Sequence, residues 1–533
     1  MKESTRDNLL LAFSVLLIAG TAAIYVGLIR QWLRGQPDVA QLHKEKRPDP
    51  DELLAARLRF RERFGRPEAA LELSEALWRA GRPVDAFYVA ADARALFPPA
   101  DFTRAHDVVV LGKSDFYGGK PYDASPANEK ALKERLAAEP DNPAVYRYLA
   151  QIAFDRGDLS EAGRLADQGL AAKADDRGLL FFKGQLIAPS APLDALGVWA
   201  KIADAKADSW EGRAALEELG RRAQKSDAGP DGETARTARE ALEELVKQHP
   251  SDPLIFSTLA MSAWGRGELD AARALVAGTL AKQPGQAGAL MVEGAIALFD
   301  KLQDKATRLF SEAWEKNPDD LFSAAKLAQI YYRQKADGES ALPFLIALYR
   351  QNPDYADNGE PADKIIRAIL DQRRADVLGR ATLESLGVYL RSEDASLRAE
   401  ACVRAATFAD QRWLETLFDL LDDDTEIVRH NADYALYTLA KVFPDAVRVR
   451  RDDWLASKKP FQRARVLNLL ADLYPGETLP LVAEALHDPS PALRYYAETL
   501  ALSHYGADVP AAAKLKAEYL KSEKDPALLV LYR

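Results

Sequence analysis

From about residue 64 onward, apolar residues recur at helical spacing in short blocks, and the blocks close on proline-bearing polar turns. Helix-ending prolines stand in ALFP (Pro98), AAEP (Pro140), KQHP (Pro250), KQP (Pro284), KNP (Pro318) and QNP (Pro353), and the last four are separated by 34, 34 and 35 residues. The wider gaps fit the same period with units lengthened by eight residues. A period near 34 predicts an array of helix–turn–helix units over roughly 64–353. Ahead of it, Leu9 to Ile29 reads LLLAFSVLLIAGTAAIYVGLI, 21 residues without a charge. That is the length of a helix crossing a bilayer core. Tyr25 and Trp32 suit its interfaces. The apolar run continues past the small residues Ala19 to Ala23, which favours an anchor over a cleaved signal peptide. The polar stretch Gly35–Glu52 reads as a linker.

Further marks keep step with the prolines. Alanine stands twelve residues before the unit end at Ala86, Ala162, Ala238, Ala272, Ala306 and Ala341, where two helices of a unit cross closely. Gly81, Gly157 and Gly267 fall at the turn between helices. Bulky residues open each first helix, as in Tyr146, Phe256 and Leu290. This pattern resembles the tetratricopeptide repeat family, and PLIFSTLAMSAWGRGELDAARALVAGTLAKQP (Pro253–Pro284) matches it best. The resemblance implies about eight helical pairs with a concave groove. Side chains toward that groove would be Phe154, Trp264, Leu298 and Tyr332, with Met261, Met291 and Phe299 nearby. The alternative role for these residues is packing between adjacent units. The family's carboxylate clamp uses Lys, Arg and Asn. This chain has Arg147 and Gln151, Ser257 and Met261, then Met291 and Ala295, so the clamp is not reproduced.

Beyond Pro353 the register changes. SLGVYLRSEDASLRAEACVRAATFA, LFDLLDDDTEIVRHNADYALYTLA and LVAEALHDPSPALRYYAETLALS share one layout: an apolar helix, an acidic turn, then an arginine opening the next helix. This is similar to HEAT repeats, over roughly 362–533. The resemblance implies that Asp394, Asp424 and Asp488 and the arginines Arg398, Arg429 and Arg494 form a structural ladder. A weaker unit, WLASKKPFQRARVLNLLADLY, has KKP in place of the acidic turn. The expected fold class is therefore all-α: a single transmembrane helix (1–34), a linker (35–52), a TPR-like α-solenoid (53–353) and a HEAT-like α-solenoid (354–533).

Charge and chemistry narrow the function. A net charge of −10 argues against nucleic acid, whose binders carry a basic footprint. The single cysteine, Cys402, sits among apolar neighbours at helical spacing and reads as a buried structural thiol. The six histidines, His43, His106, His249, His430, His487 and His504, have no metal-ligand spacing. The stretch VVVLGKSDFYGGKP (Val108–Pro121) imitates a phosphate loop, but Asp107 stands where the first glycine belongs and would repel phosphate. It falls instead in a lengthened unit, where Gly112 ends a helix and Phe116, Tyr117 and Tyr122 lie in an inserted loop open to contacts. A second insertion is KSDAGPDGET (Lys225–Thr234). One basic cluster, Arg448 to Arg465, reads as a solvated helix rim; the alternative is a surface for an acidic partner or anionic headgroups.

The expectation is a non-catalytic scaffold for protein partners, without cofactor, metal or small-molecule substrate, held at a bacterial inner membrane by Leu9–Ile29 in the lipid bilayer. Flanking Lys and Arg lean toward a cytoplasmic placement of the bulk over a periplasmic one. A permanent structural subunit of a large membrane complex is the alternative, and an enzyme with a site in the inserted loops is a third.

Overall fold

Helices dominate because each segment between the marked turns carries its own start signal. The computed structural model describes residues 50–110, 126–378, 381–505 and 509–532. All of these belong to one unit, Pro48–Arg533. The expectation of a single-pass inner-membrane protein is corrected. Among the described residues no helix is long and apolar enough to cross a membrane. The longest run to 17 residues and are studded with charge, as in GETARTAREALEELVKQ, where a crossing needs about 20 apolar residues. The segment behind that expectation, Leu9–Ile29, lies outside the described residues, as does the lipid contact assigned to it.

Helix α1 (Pro50–Glu62) leads into a hairpin of α2 (Pro67–Arg79) and α3 (Pro83–Leu96), followed by α4 (Pro99–Val109). After α5 (Pro126–Ala138) come six hairpins: α6 (Pro143–Asp155) with α7 (Leu159–Ala172), α8 (Arg177–Ile187) with α9 (Pro192–Lys206), α10 (Trp210–Ala223) with α11 (Gly232–Gln248), α12 (Pro253–Gly265) with α13 (Leu269–Lys282), α14 (Ala287–Phe299) with α15 (Gln303–Lys316), and α16 (Leu321–Gln329) with α17 (Gly338–Gln351). Side chains of Asn142, Asp158, Asp176, Ser209, Asp252, Gln286, Asp320 and Asp337 cap helix N-termini. The crossing alanines are all buried. First helices of successive hairpins approach closely: a Cβ on Gly288 would lie 2.2 Å from the carbonyl oxygen of Pro253.

The turn inside five of the hairpins, all but α8–α9 and α10–α11, repeats one backbone device. Gly81, Gly157 and Gly267 have φ of 72°, 80° and 80°, and Lys301 and Ala336 adopt the same left-handed conformation at the same place. The following N–H reaches back five residues in Arg82 to Leu77, Asp158 to Ala153, Glu268 to Ala263 and Leu302 to Ala297, which is the Schellman closure. In the last hairpin the bond runs from Asp337 to Tyr331, six residues back. That hairpin is the one spaced 35 rather than 34 residues from its predecessor. Its extra residue is absorbed as a π-helical turn, Ile330–Gln334.

A two-residue ladder of β1 (Ala356–Asp357) and β2 (Glu360–Pro361), closed by Asn358-Gly359, joins the hairpins to α18 (Ala362–Leu378). Then follow α19 (Leu386–Leu390), α20 (Ala395–Phe408), α21 (Leu414–Leu420), α22 (Glu426–Val442), α23 (Pro444–Leu455), α24 (Pro460–Leu473), α25 (Pro475–Ala485), α26 (Pro491–Tyr496), α27 (Pro510–Ser522) and α28 (Pro526–Leu531). A π-turn, Ala497–Ala501, extends α26. Helices α20, α22, α24 and α26 lie side by side.

In each of these four helices the fourth residue is arginine: Arg398, Arg429, Arg463 and Arg494. Three reach the next acidic turn: Arg398 to Asp423 at 2.8 Å, Arg463 to Asp488 at 3.0 Å and Arg494 to Glu523 at 2.8 Å. Arg429 faces the turn that reads KKP; it bonds Glu426 on its own helix and lies over Phe461. The weaker unit thus keeps the register of its neighbours, with Lys459 at the N-cap and Arg463 as its rung.

The N-terminal helices dock on two places at once. Helix α3 packs against α17 and also against α20 and α22, while α1 meets α26. Phe64 belongs to the same apolar cluster as Phe461, Val482, Tyr496 and Leu528.

Candidate functional site

Three of the predicted groove residues share one register. Phe154, Trp264 and Leu298 each stand three residues before the left-handed turn residue, and the carbonyl of each accepts that residue's N–H. Phe154 is 37 % exposed and meets Phe182 of the next hairpin edge to face. Trp264, Leu298 and Met261 are half-buried, and Phe299 is 59 % exposed at the end of α14, with exposed Leu302 three residues on. Met291 is only 6 % exposed and belongs to the core. Tyr332 lies within the π-turn, its ring under the Arg333 guanidinium at 5.0 Å. Arg333 is held by Asp357 at 2.9 Å and Glu360 at 2.9 Å. The β-ladder therefore fixes the last turn of this row. Arg147, at a clamp position, is buried against Asp176 at 2.8 Å, which commits it to packing.

The inserted-loop residues Phe116, Tyr117 and Tyr122, with Gly112, Lys113 and Ser114, lie outside the described residues. What precedes them is helical through Val109, so the strand that a phosphate loop requires is replaced by a helix. The second insertion falls between α10 and α11, as expected.

The densest chemistry lies where the N-terminal helices meet the C-terminal array. Asp85, fully buried on α3, accepts from the Ala395 N–H at 2.8 Å and pairs with Arg82 and with Arg398 at 3.0 Å. Burial, with Asp423 close by, outweighs those arginines and pushes its pKa up to about 6. Asp423 shares Arg398; burial opposes ionisation there too, but Arg398 and the Thr425 N–H hold it below the ordinary range. Asp424 takes Arg57 at 2.7 Å and Arg82 at 3.4 Å, and Asp422 takes Arg61 at 2.7 Å. Glu426 accepts from Arg429 at 2.8 Å, from Arg465 and from the Tyr496 hydroxyl at 3.0 Å. Burial alone would raise it, but the two guanidiniums bring it down to about 2. Beside it, Asp92 is pushed up to about 6 by burial and the Glu426 charge. Arg350 makes the joint with the hairpin array: it pairs with Glu75 at 2.8 Å, lies over the Trp78 ring at 4.8 Å, and its carbonyl meets His106 Nε2 at 2.8 Å.

Five of the seven basic residues of the cluster pair within the fold. Arg450 pairs with Glu415, Arg451 with Glu477, Lys459 with Asp422, Arg463 with Asp488 and Arg465 with Glu426. Cys402 is buried, and burial raises its pKa far above the thiol range. Among the described residues, no group of three or more His, Cys, Asp or Glu is arranged to hold a metal ion. Sequence reasoning missed the N-terminal docking, although RLRFRERF (Arg57–Phe64) carries its signal in arginines and phenylalanines each four apart.

These elements define an all-α protein of stacked helical hairpins. No family model matches the chain, and no curated protein does. Solved structures it is similar to include YrrB, a TPR protein with an unusual peptide-binding site, at 16 % identity over 37 % of this chain and 96 % of that one, TM-score 0.20. A human IFIT1 dimer with m7Gppp-AAAA matches at 12 % over 90 % of this chain and 100 % of that one, TM-score 0.24. A structure of the UNC-45 chaperone, described for its features critical for binding and folding muscle myosin, matches at 13 % over 87 % of this chain and 62 % of that one, TM-score 0.20. At such scores the likenesses carry no argument, and the repeat architecture rests on this chain's own hairpins.

Proposed function

We propose that this chain is a non-catalytic protein–protein interaction scaffold: a TPR-like array over 53–353 that presents a partner-binding groove, stiffened by a HEAT-like array over 354–533. The observation that supports it is the register shared by Phe154, Trp264 and Leu298 at the ends of the first helices α6, α12 and α14, extended by exposed Phe299. A row of half-buried apolar side chains at a constant backbone position accepts an amphipathic helix or an extended peptide. Stacked repeats place that row on one continuous surface. No chemistry is needed: holding two partners on one array raises their effective concentration for each other.

The test is crosslinking in intact cells, followed by mass spectrometry, with wild-type and Trp264→Ala/Tyr332→Ala chains. Loss of specific crosslinks to the row with an unchanged melting temperature supports the groove. Retention of every crosslink sinks it. A chain that is degraded whenever one constant companion is depleted would instead be a permanent subunit.

A further inference from the structure

Helix α1 sits on the C-terminal array as a ligand sits on a receptor. Arg57 and Arg61, one helical turn apart, reach Asp424 and Asp422, each at 2.7 Å. Phe60 on α1 and Phe64 in the turn just after it, with the same spacing, enter an aromatic pocket. Phe60 lies 6.0 Å from Phe461, and Phe64 lies 5.8 Å from Phe461, 5.3 Å from Tyr495 and 5.5 Å from Tyr496 between ring centroids. The opposite face of α1 is open, with Leu54 51 % and Leu58 48 % exposed.

The receptor side is built by contacts that do not involve α1. Arg398 holds Asp423 in the middle of the acidic turn, and Glu426 holds the Tyr496 hydroxyl. The fit is incomplete at one atom. Asp422 Oδ1 is buried without a hydrogen-bond partner, while Arg61 and Lys459 both address Oδ2. A carboxylate in this setting accepts an arginine fork through both oxygens, and a buried acceptor left unmet is costly. The resident helix engages both oxygens of Asp424 but leaves this one acceptor of the turn unmet.

We propose that the face carrying Asp422, Asp424 and the Phe461–Tyr496 pocket is a binding site for a partner helix of the pattern Arg-x-x-Phe-Arg-x-x-Phe, and that α1 occupies it in cis until such a helix displaces it. Charge complementarity and aromatic spacing set the partner's chemistry. The tether sets the threshold, because a short linker presents α1 at an effective concentration in the millimolar range. Arg59–Glu72 and Arg79–Glu52 also tie α1 to α2, so a competitor must do better than the array contacts alone. This surface is separate from the hairpin row and stands or falls without it.

The probe is a fluorescein-labelled peptide of residues 48–66, titrated into the full chain. Wild-type chain binds it weakly, and Arg57→Ala/Phe60→Ala/Arg61→Ala chain binds it at least tenfold tighter. A peptide with the same three alanines binds neither. Trp264→Ala/Tyr332→Ala chain binds like wild type, which separates this site from the groove. Deuterium exchange on wild-type chain gives an independent reading that needs no variant: millimolar peptide strips protection from residues 50–62 and leaves 143–350 unchanged. Equal affinity of the wild-type and triple-variant chains, equal binding of the alanine peptide, or undiminished protection of 50–62 overturns the proposal.

Discussion

Arg398 carries two loads, and replacing it with methionine separates them. Its side chain is 5 % exposed, gives one edge to Asp423 and another to Asp85, and donates to the Ser392 carbonyl at 2.8 Å. Methionine keeps the length and apolar bulk but leaves two buried carboxylates facing each other. Removing one partner of a buried ion pair costs about 3–5 kcal/mol, and the lost carbonyl bond adds about 1 kcal/mol. The cost is shared between the rung to the next unit and the docking of α3. A body of this size need not unfold in one step, so urea melts by circular dichroism are paired with deuterium exchange. Arg398→Met lowers the first transition, and protection fails in 67–96 before it fails in 143–248. Adding Asp85→Asn to Arg398→Met removes one of the opposed charges and recovers stability. The two changes therefore depart from additivity by about 1–3 kcal/mol, as expected for groups in contact. A deficit below about 1 kcal/mol, or additivity within about 0.5 kcal/mol, refutes the shared role of Arg398.

The remaining predictions concern single residues. Ala336→Gly, at φ 53° in the last hairpin turn, relieves a left-handed alanine and raises stability by about 0.5–1 kcal/mol in thermal melts. Gly288→Ala, whose Cβ would meet the Pro253 carbonyl oxygen at 2.2 Å, costs roughly 1–3 kcal/mol by forcing α12 and α14 apart. Asp92 and Glu426 give pH profiles of opposite sign. The folded pKa of Asp92 is raised to about 6, so its favourable contribution is complete below the ordinary carboxylate range and is lost as pH rises through 6. Asp92→Asn is therefore more stable than wild type at pH 7.5, by roughly 1–2 kcal/mol, and the gain vanishes toward pH 4. The folded pKa of Glu426 is lowered to about 2, so its contribution is present above the ordinary glutamate range and is lost as pH falls toward 2. Its side chain is 35 % exposed, so after discounting for screening Glu426→Gln costs roughly 1–2 kcal/mol at pH 7, and the difference shrinks in acid. Urea midpoints across pH check both; profiles of the same sign would refute the assignment.

The hairpins were legible because their information is local. Proline, cap, crossing alanine and turn glycine all act within one 34-residue unit, and the last spacing of 35 marked the place where a π-turn takes up one residue. Lys301 and Ala336 show the limit of that reading. They hold the left-handed turn without glycine, since the Schellman bond at Lys301 and the wider Asp337–Tyr331 bond at Ala336 impose a backbone that their side chains disfavour. Met291 was offered as a groove residue and is core, because helical periodicity gives a face but not the depth at which the next hairpin covers it. The chain ahead of the imitation phosphate loop is helical through Val109, where such a loop follows a strand.

By itself the sequence determined that the chain folds as helical hairpins, the unit length near 34 residues and the residue types at the turns, all set by interactions spanning a few residues. Only the tertiary structure decided that Arg57, Arg61 and Arg82 face an acidic turn more than 300 residues away, and that Arg398 serves both its own array and α3. Charge at a sequence position states what a side chain can pair with. Which partner it meets depends on the curvature accumulated over every intervening hairpin, and that sum is not written in any one of them.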